Sequence, residues 1–358
     1  MAKMSENPAR KKNGNTQSGY RPRSLTQVLQ EADQMVVQGE LDEYLPIPTG
    51  FNQIDRIIGG GLRKTELVLI GGRQGIGKTV FALQMARNLA LNEGIFSLYI
   101  SFEHNEIHLL NRLICLESIN PTRDPGNSGV RLKDLHKIVV SARESQSYAG
   151  LGLFDILAKN PKTAPSMKTI SQYADNLILM KGSPAVTTLA GIREMVQVLA
   201  EATQGKLVLF VDYLQKIAIY PERAANESEK VTIVVEGLKD IAMSMNIPVV
   251  SVVAAEREGL KSRRLHMFHL RGSSALDYEC DIAIIMNNKF QILSKEHLAY
   301  NPYKSEIFRD WVVFTIEKNR AGRAMIDLEF QLRPQYFTFN PNGNVVEQKL
   351  IDEKIIVE

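Results

Sequence analysis

The stretch "GGRQGIGKTV", residues 71–80, constrains the fold of this chain more than any other. Gly72, Gly77, Lys78 and Thr79 stand at the spacing of a phosphate-wrapping loop. In such a loop successive backbone N–H groups turn inward toward the β- and γ-phosphates. The lysine adds a point charge, and the threonine hydroxyl can take a Mg²⁺ coordination position. Loops of this kind follow a buried strand and open a helix. Here "ELVLIGG" (66–72) precedes the loop and "KTVFALQMARNLALNEG" (78–94) follows, with Phe81, Met85, Leu89 and Leu91 on an approximately helical apolar face. Gly72, Arg73, Gln74, Gly75, Ile76, Gly77, Lys78, Thr79 and Val80 are thus the candidate contacts to ATP, with Thr79 a candidate Mg²⁺ ligand.

The rest of the chain supplies the sheet such a loop needs. "FSLYIS" (96–101), "KLVLFVDY" (206–213), "PVVSVVAA" (248–255), "DIAIIM" (281–286) and "WVVFTIEK" (311–318) are continuous apolar runs rich in β-branched residues. Unbroken runs point to strands covered on both faces. Between them lie helical patterns. "TTLAGIREMVQVLAEA" (187–202) places Leu189, Ile192, Met195, Val196 and Leu199 on one stripe, and "EKVTIVVEGLKDIAMSM" (229–245) does the same with Val231, Val234, Val235, Leu238, Ile241 and Met245. The alternation predicts an α/β fold, a mostly parallel twisted sheet flanked by helices. The 358 residues suffice for one large α/β domain or two small ones, and 44% hydrophobic with 23% charged residues is ordinary for a soluble globular protein. The polar segment 120–175 reads as an inserted subdomain or long loop.

The two ends read differently. Residues 1–23 form a basic tail, carrying Lys3, Arg10, Lys11, Lys12, Arg21 and Arg23 against Glu6 alone, and the absence of an apolar run predicts disorder. Such an arm could graze DNA phosphates or merely solubilise the chain. The net charge of +3 argues neither way. A helix is expected over 24–37, where Ser24 and Gln27 have capping-box spacing and Leu25, Val28, Leu29, Ala32, Met35 and Val36 recur at three and four. Residues 346–358 read as a C-terminal tail. The chain has no apolar run of membrane-spanning length and no signal-peptide pattern, so a cytoplasmic location without membrane contact is expected. Cys115 and Cys280 lie in apolar surroundings and imply neither disulfide nor metal. His104 and His108 in "HNEIH" have zinc-helix spacing, but the glutamate sits off their face and no third ligand is evident.

Magnesium beside a triphosphate needs a second acid at the end of another strand. Asp212 closes "LVLFVD", where a buried strand delivers its carboxylate to the sheet's carboxyl edge. Hydrolysis further needs a group that orients or deprotonates water, and Glu103, just after "FSLYIS", emerges at that edge.

Five stretches together resemble the RecA-like motor domain of DnaB-type replicative helicases: residues 47–86, "SLYISFEHNEIHLLNRL" (97–113), "LVLFVDYLQ" (207–215), "HLRGSSALDYECD" (269–281) and "FTIEKNRAGR" (314–323). The resemblance spans about 45–340, so a motor domain is expected over 45–345. It implies that Glu103 activates water and that Asp212 holds the metal. It implies further that Arg320 is an arginine finger reaching the neighbouring subunit's nucleotide, with Lys318 its companion. Arg271, Gly272 and Ser274 would face single-stranded DNA, and "YPERAANESEK" (220–230), with Arg223, would be a second channel loop. The helix within 24–44 resembles the family's linker helix, which packs on an adjacent motor domain and favours a homo-oligomer, a ring of six. The family's globular N-terminal helical domain is expected to be missing.

Two departures qualify the match. The family commonly has Glu and Gly where Gly272 and Ser274 stand. Its nucleotide-sensing Ser-Gln pair is replaced by Val253 and Ala254, whose side chains cannot hydrogen-bond. The resemblance implies an ATP-dependent, ring-forming DNA translocase and helicase. A second reading, a non-unwinding regulatory or scaffold ATPase whose nucleotide state controls assembly, stays open.

Overall fold

The computed structural model describes residues 22–91, 95–119, 129–144, 150–220, 222–293, 306–347 and 350. The basic tail expected over 1–23 lies outside these residues except for its last two, and most of the C-terminal tail expected over 346–358 lies outside them as well. The chain divides into two compact units, residues 1–44 and 45–358.

The first unit consists, among the described residues, of helix α1 (Leu25–Val37). Ser24 caps it as its spacing predicts: the Ser24 hydroxyl accepts from the Gln27 amide while the Gln27 side chain accepts from the Ser24 amide. The two bonds satisfy two of the donors that a helix start leaves open.

The second unit is built on a ten-stranded sheet. Six strands run parallel: β1 (Leu67–Gly72), β2 (Phe96–Ser101), β3 (Leu177–Lys181), β4 (Leu207–Asp212), β5 (Val249–Ala254) and β6 (Ile282–Asn288), in the order β6-β1-β5-β4-β2-β3. Antiparallel strands β7 (Trp311–Asn319), β8 (Ile326–Arg333), β9 (Thr338–Phe339) and β10 (Asn344–Val345) extend the sheet beyond β6. β1 and β4 are buried along their whole length, as unbroken apolar runs covered on both faces should be.

Helices α2 (Asn52–Ile57), α3 (Lys78–Leu91), α4 (Glu106–Glu117), α5 (Leu132–Glu144), α6 (Leu153–Lys159), α7 (Ala164–Tyr173), α8 (Leu189–Ala202), α9 (Glu227–Met245), α10 (Ser273–Glu279) and α11 (Lys289–Ile292) complete the unit. Two buried clusters form its core. One joins α3 and α4 to the sheet, and the other joins α8 and α9 to the same strands. The α9 stripe behaves as its periodicity predicts, burying Val231, Val234, Val235, Leu238 and Ile241. In the first cluster, Phe81 on α3 meets Phe51 and Phe314 edge-to-face at 4.8 Å, and Phe314 meets Phe330 at 4.8 Å and Phe339 at 5.3 Å. Each such pair adds about 0.5–1.5 kcal/mol beyond area burial. The ladder locks the helix that follows the phosphate loop onto the antiparallel strands.

The segment 120–175, polar and irregular by sequence, contains α5, α6 and α7 in its described part. α5 carries a helical stripe of Leu132, Leu135, Ile138, Val139 and Ala142, of which Leu135 and Ala142 are buried, whereas α6 has only seven residues in which to show one. Tertiary contact supplies what propensity lacks, because Leu135, Leu157, Ile170 and Tyr173 join the core cluster of α4. The Tyr173 hydroxyl donates to Glu117 at 3.0 Å, and Glu117 pairs with Arg87 of α3.

Candidate active site

Strand register determines which residues meet. Gly72 at the end of β1 lies level with Ala254 of β5, while Asp212 of β4 lies level with Val252 of β5 and Ser101 of β2. Because these strands are parallel, their carboxyl ends form one edge. The phosphate loop, Asp212 and Glu103 all emerge there. The Phe102 amide donates to the Asp212 carbonyl at 2.7 Å, and the His104 amide donates to Ser101 Oγ at 3.0 Å, which fixes the turn that carries Glu103.

That edge holds a cavity of about 680 Å³. Of the residues expected to contact ATP, Gly72, Gln74, Gly75, Gly77, Lys78, Thr79 and Val80 line it, as do Glu103 and Asp212. Arg73 and Ile76 do not: the Arg73 guanidinium turns to the Ser262 carbonyl, and Ile76 is buried. Gly77 has φ +101°, and a Cβ there would meet the Phe339 ring at 3.0 Å, so both the backbone and the space require glycine. Lys78 Nζ donates to the carbonyls of Gly72 at 2.7 Å and Arg73 at 2.9 Å. The Thr79 and Tyr99 hydroxyls both donate to Asp212, Tyr99 at 3.0 Å from full burial. Burial raises the pKa of Asp212 despite these bonds and the nearby Lys78. A divalent cation beside it would offset that cost. Two hard oxygens, one hydroxyl and one carboxylate, fit Mg²⁺, which prefers few protein ligands and keeps waters and phosphates.

Burial lowers the pKa of Lys78 to about 8, against the opposing pull of Asp212 and Glu103. A bound triphosphate would raise it again. Above pH 8 the free site must therefore take up a proton to bind. Affinity for a non-hydrolysable ATP analogue should be flat from pH 6.5 to about 8 and then fall by up to about tenfold per pH unit. The Lys78→Arg variant, whose guanidinium keeps its proton, should show no such fall. Titration with a fluorescent analogue checks both, and a flat wild-type profile to about pH 10 would remove Lys78 from phosphate contact.

The cavity also contains residues that motif reading missed. Arg112 enters from α4 and His104 from the turn before it, while Leu332, Pro334 and Phe337 enter from the end of β8 and the segment after it. The His104 and His108 rings stack at 4.4 Å. His104 is lowered to about 4 by burial, then by Arg112 and His108, so it is neutral near pH 7. Arg112 is detectable by helical spacing, since residues 104, 108 and 112 recur every four positions behind Glu103. The wall from 332–337 carries no local signal. Cys115 and Cys280 are buried with thiol pKa values raised to about 12 by burial, so they are unreactive near neutral pH.

Arg320 and Lys318 stand elsewhere. The Arg320 amide donates to the Asp281 carbonyl, and its guanidinium bonds Asp281 and the Tyr278 carbonyl, while Lys318 Nζ bonds the Asp277 carbonyl. Asp281 precedes β6 and lies level with Leu67, the first residue of β1. The phosphate loop follows the opposite end of β1, roughly 16 Å further along the strand.

The residues expected to face DNA occupy a third place. Arg271 pairs with Glu227 at 2.6 Å, Ser274 is exposed, and Arg223 is exposed in a shallow depression that Glu227 also lines. Gly272 is buried with φ +80°, and a Cβ there would strike Val231 at 2.5 Å. Its small size serves packing against α9. Val253 is fully buried, and the Ala254 backbone exchanges two hydrogen bonds with the Gln215 side chain, at 3.3 and 3.4 Å. The Arg271 amide donates to the same Ala254 carbonyl at 3.2 Å.

Among the described residues no helix is long and apolar enough to cross a membrane, and no group of three or more His, Cys, Asp or Glu could hold a metal ion.

Comparisons with known proteins agree on the fold. A solved ATPase domain superposes with a TM-score of 0.65 over 89% of this chain and 99% of that one, at 19% identity. A DnaB-like replicative helicase, solved in a study of its interactions with primase, gives a TM-score of 0.62 over 89% of this chain and 67% of that one, at 18% identity. The fold is RecA-like. In sequence, the replicative DNA helicase DnaB of Treponema pallidum is 27% identical over 241 residues, 67% of this chain and 48% of that protein. The counterpart from Geobacillus stearothermophilus is 26% identical over 250 residues, 68% of this chain and 47% of that protein. The chain thus spans about half the length of the curated relatives it matches. The sequence pattern of the DnaB-like helicase C terminal domain matches residues 46–340, most of the 358, and the chain belongs to that family.

Proposed function

We propose that this chain is the motor of a ring-forming ATPase that moves along single-stranded DNA in replication, and that each hydrolytic site is completed by a neighbouring copy. The observation that carries this reading is the separation of the two halves of the chemistry. Lys78, Thr79, Glu103 and Asp212 line one cavity, whereas Arg320 and Lys318 stand at the opposite edge of the same sheet. A finger so placed serves a second molecule, not its own.

In this mechanism Thr79 and Asp212 would hold Mg²⁺, which when bound would supply charge neutralisation at the phosphates. Lys78 adds charge there. Glu103 orients or deprotonates the attacking water. Arg320 of the adjacent copy, with Lys318, meets the charge that spreads over the γ-phosphoryl group in the transition state. Arg271 and Arg223 attract DNA phosphates, and Ser274 and the Gly272 backbone lie beside them. α1 packs on an adjacent copy and favours a ring of six.

The alternative, an assembly switch that does not unwind, draws support from Val253, which is buried and apolar where the family senses nucleotide. ATP hydrolysis measured with and without single-stranded DNA, across salt concentrations and alongside particle mass, separates the two. The motor reading expects stimulation of several-fold that weakens steeply with salt, a mass near six copies, and unwinding of a forked duplex. Stimulation without unwinding would point to a filament or loader, and no stimulation would point to the switch.

A further inference from the structure

We propose that Glu227 is an internal stand-in for a DNA phosphate, holding the Arg271 guanidinium in the free chain until a strand displaces it. The proposal rests on the DNA-motor reading and deepens it, because it names what a strand must compete with at that surface.

Position singles out Glu227. It lines two depressions, one shared with Arg223 and the other with Arg271, so it stands on the boundary between the two arginines that would attract DNA phosphates. Its carboxylate pairs with the Arg271 guanidinium at 2.6 Å, and both side chains are partly open to water. Such a pair is weak, since water screens it and two long side chains must be held still. A strand carries a row of phosphates and gains further from the counterions it releases, so it can win Arg271 where a single small anion cannot. The carboxylate therefore raises the threshold for binding without closing the surface.

The exchange needs only a side chain to turn. The Arg271 amide donates to the Ala254 carbonyl at 3.2 Å, and Gly272 packs against Val231, so the backbone that carries Arg271 is fixed. Glu227 is fixed as well. It opens α9, whose start is secured by the Asn226 side chain, which accepts from the Glu229 amide at 2.9 Å, and by the Glu229 carboxylate, which accepts from the Ala225 amide. The helix N-terminus favours negative charge there, which lowers the cost to Glu227 of losing its partner. Lys230, three residues on, is engaged elsewhere, its Nζ donating to the Gln215 carbonyl at 3.0 Å. Two anchored ends and one weak contact make a latch that resets when the strand leaves.

The test titrates a fluorescent oligo-dT strand into the full chain with Mg²⁺ and a non-hydrolysable ATP analogue, at about 0.1 M salt. Glu227→Gln removes the charge, keeps the size, and should tighten binding about three- to fivefold. Glu229→Gln removes the same charge from the same helical turn without freeing an arginine, and should leave binding within about 1.5-fold. In a chain already weakened by Arg271→Gln, adding Glu227→Gln should bring no more than that same change, because the two residues act as a pair. Thermal melts within about 3 °C of the wild type show that the variants have folded. No gain in Glu227→Gln would overturn the proposal. An equal gain in Glu229→Gln, or a gain that survives Arg271→Gln, would overturn it in favour of bulk charge. A strand bound by neither the wild type nor Glu227→Gln would sink the DNA reading itself, whereas wild-type binding indifferent to all these substitutions would overturn only the latch.

Discussion

Replacing Arg320 with alanine should lower ATP turnover by about a thousandfold or more while leaving affinity for an ATP analogue nearly unchanged. The first half follows from the transition state, whose spreading charge a finger meets late. The second follows from placement, since the Arg320 side chain bonds Asp281 and Tyr278 and does not line the cavity of its own chain. A mixing experiment makes the result decisive. Lys78→Ala copies keep the finger and lose the loop, whereas Arg320→Ala copies keep the loop and lose the finger. Neither should hydrolyse ATP alone, yet random equal mixing restores a complete interface wherever an intact loop faces an intact finger, about a quarter of all head-to-tail contacts. If Arg320 worked within its own chain, every copy in the mixture would be defective and no activity would return.

The second large effect is expected at Glu103. Glu103→Gln keeps the size of the side chain and its place after β2 but removes the carboxylate, and turnover should fall by about 10²- to 10⁴-fold. Binding of the ATP analogue should persist, so the variant should hold unhydrolysed ATP. Rapid-quench measurement of the single-turnover rate, alongside analogue titration, tests this. A drop below about tenfold would move the water-orienting role to another cavity residue. His104 would be next in line, as it is neutral near pH 7 and adjacent in the wall.

Local chemistry decides what can be read in advance. The phosphate loop is a strand, a turn and a helix start within about fifteen residues, and Asp212 ends an unbroken apolar run. Both signals are contained in their own neighbourhoods, as is the Ser24–Gln27 capping box. The strand β8 shows its alternation plainly, with Ile326, Leu328, Phe330 and Leu332 at period two, yet a search for continuous runs passes over it because such runs mark strands buried on both faces. Other features lie beyond local reading. Helices α5 to α7 join the buried cluster of α4, and which cluster receives their apolar faces is not written in their own segments. Phe337 reaches the nucleotide cavity more than two hundred residues after the loop it faces, so only the path of the sheet unites them. The Arg320 placement is of the same kind: its residue type is legible, but its distance from the loop depends on β7 running antiparallel to β6.

That antiparallel pair has a mechanical consequence. β7 and β8 form one hairpin roughly 25 Å long. At its turn sits Arg320, and at its opposite end Leu332, Pro334 and Phe337 wall the cavity of the same molecule. The Phe314–Phe330–Phe339 ladder stiffens the span between. Under the proposed shared site, a shift at the walled end, when a ligand arrives or leaves, would be carried as a tilt to the tip that addresses the next copy. If the hairpin moves as one body in the proposed ring, no chain of side-chain rearrangements is needed to pass news from one pocket to its neighbour, and geometry alone would set the order of firing.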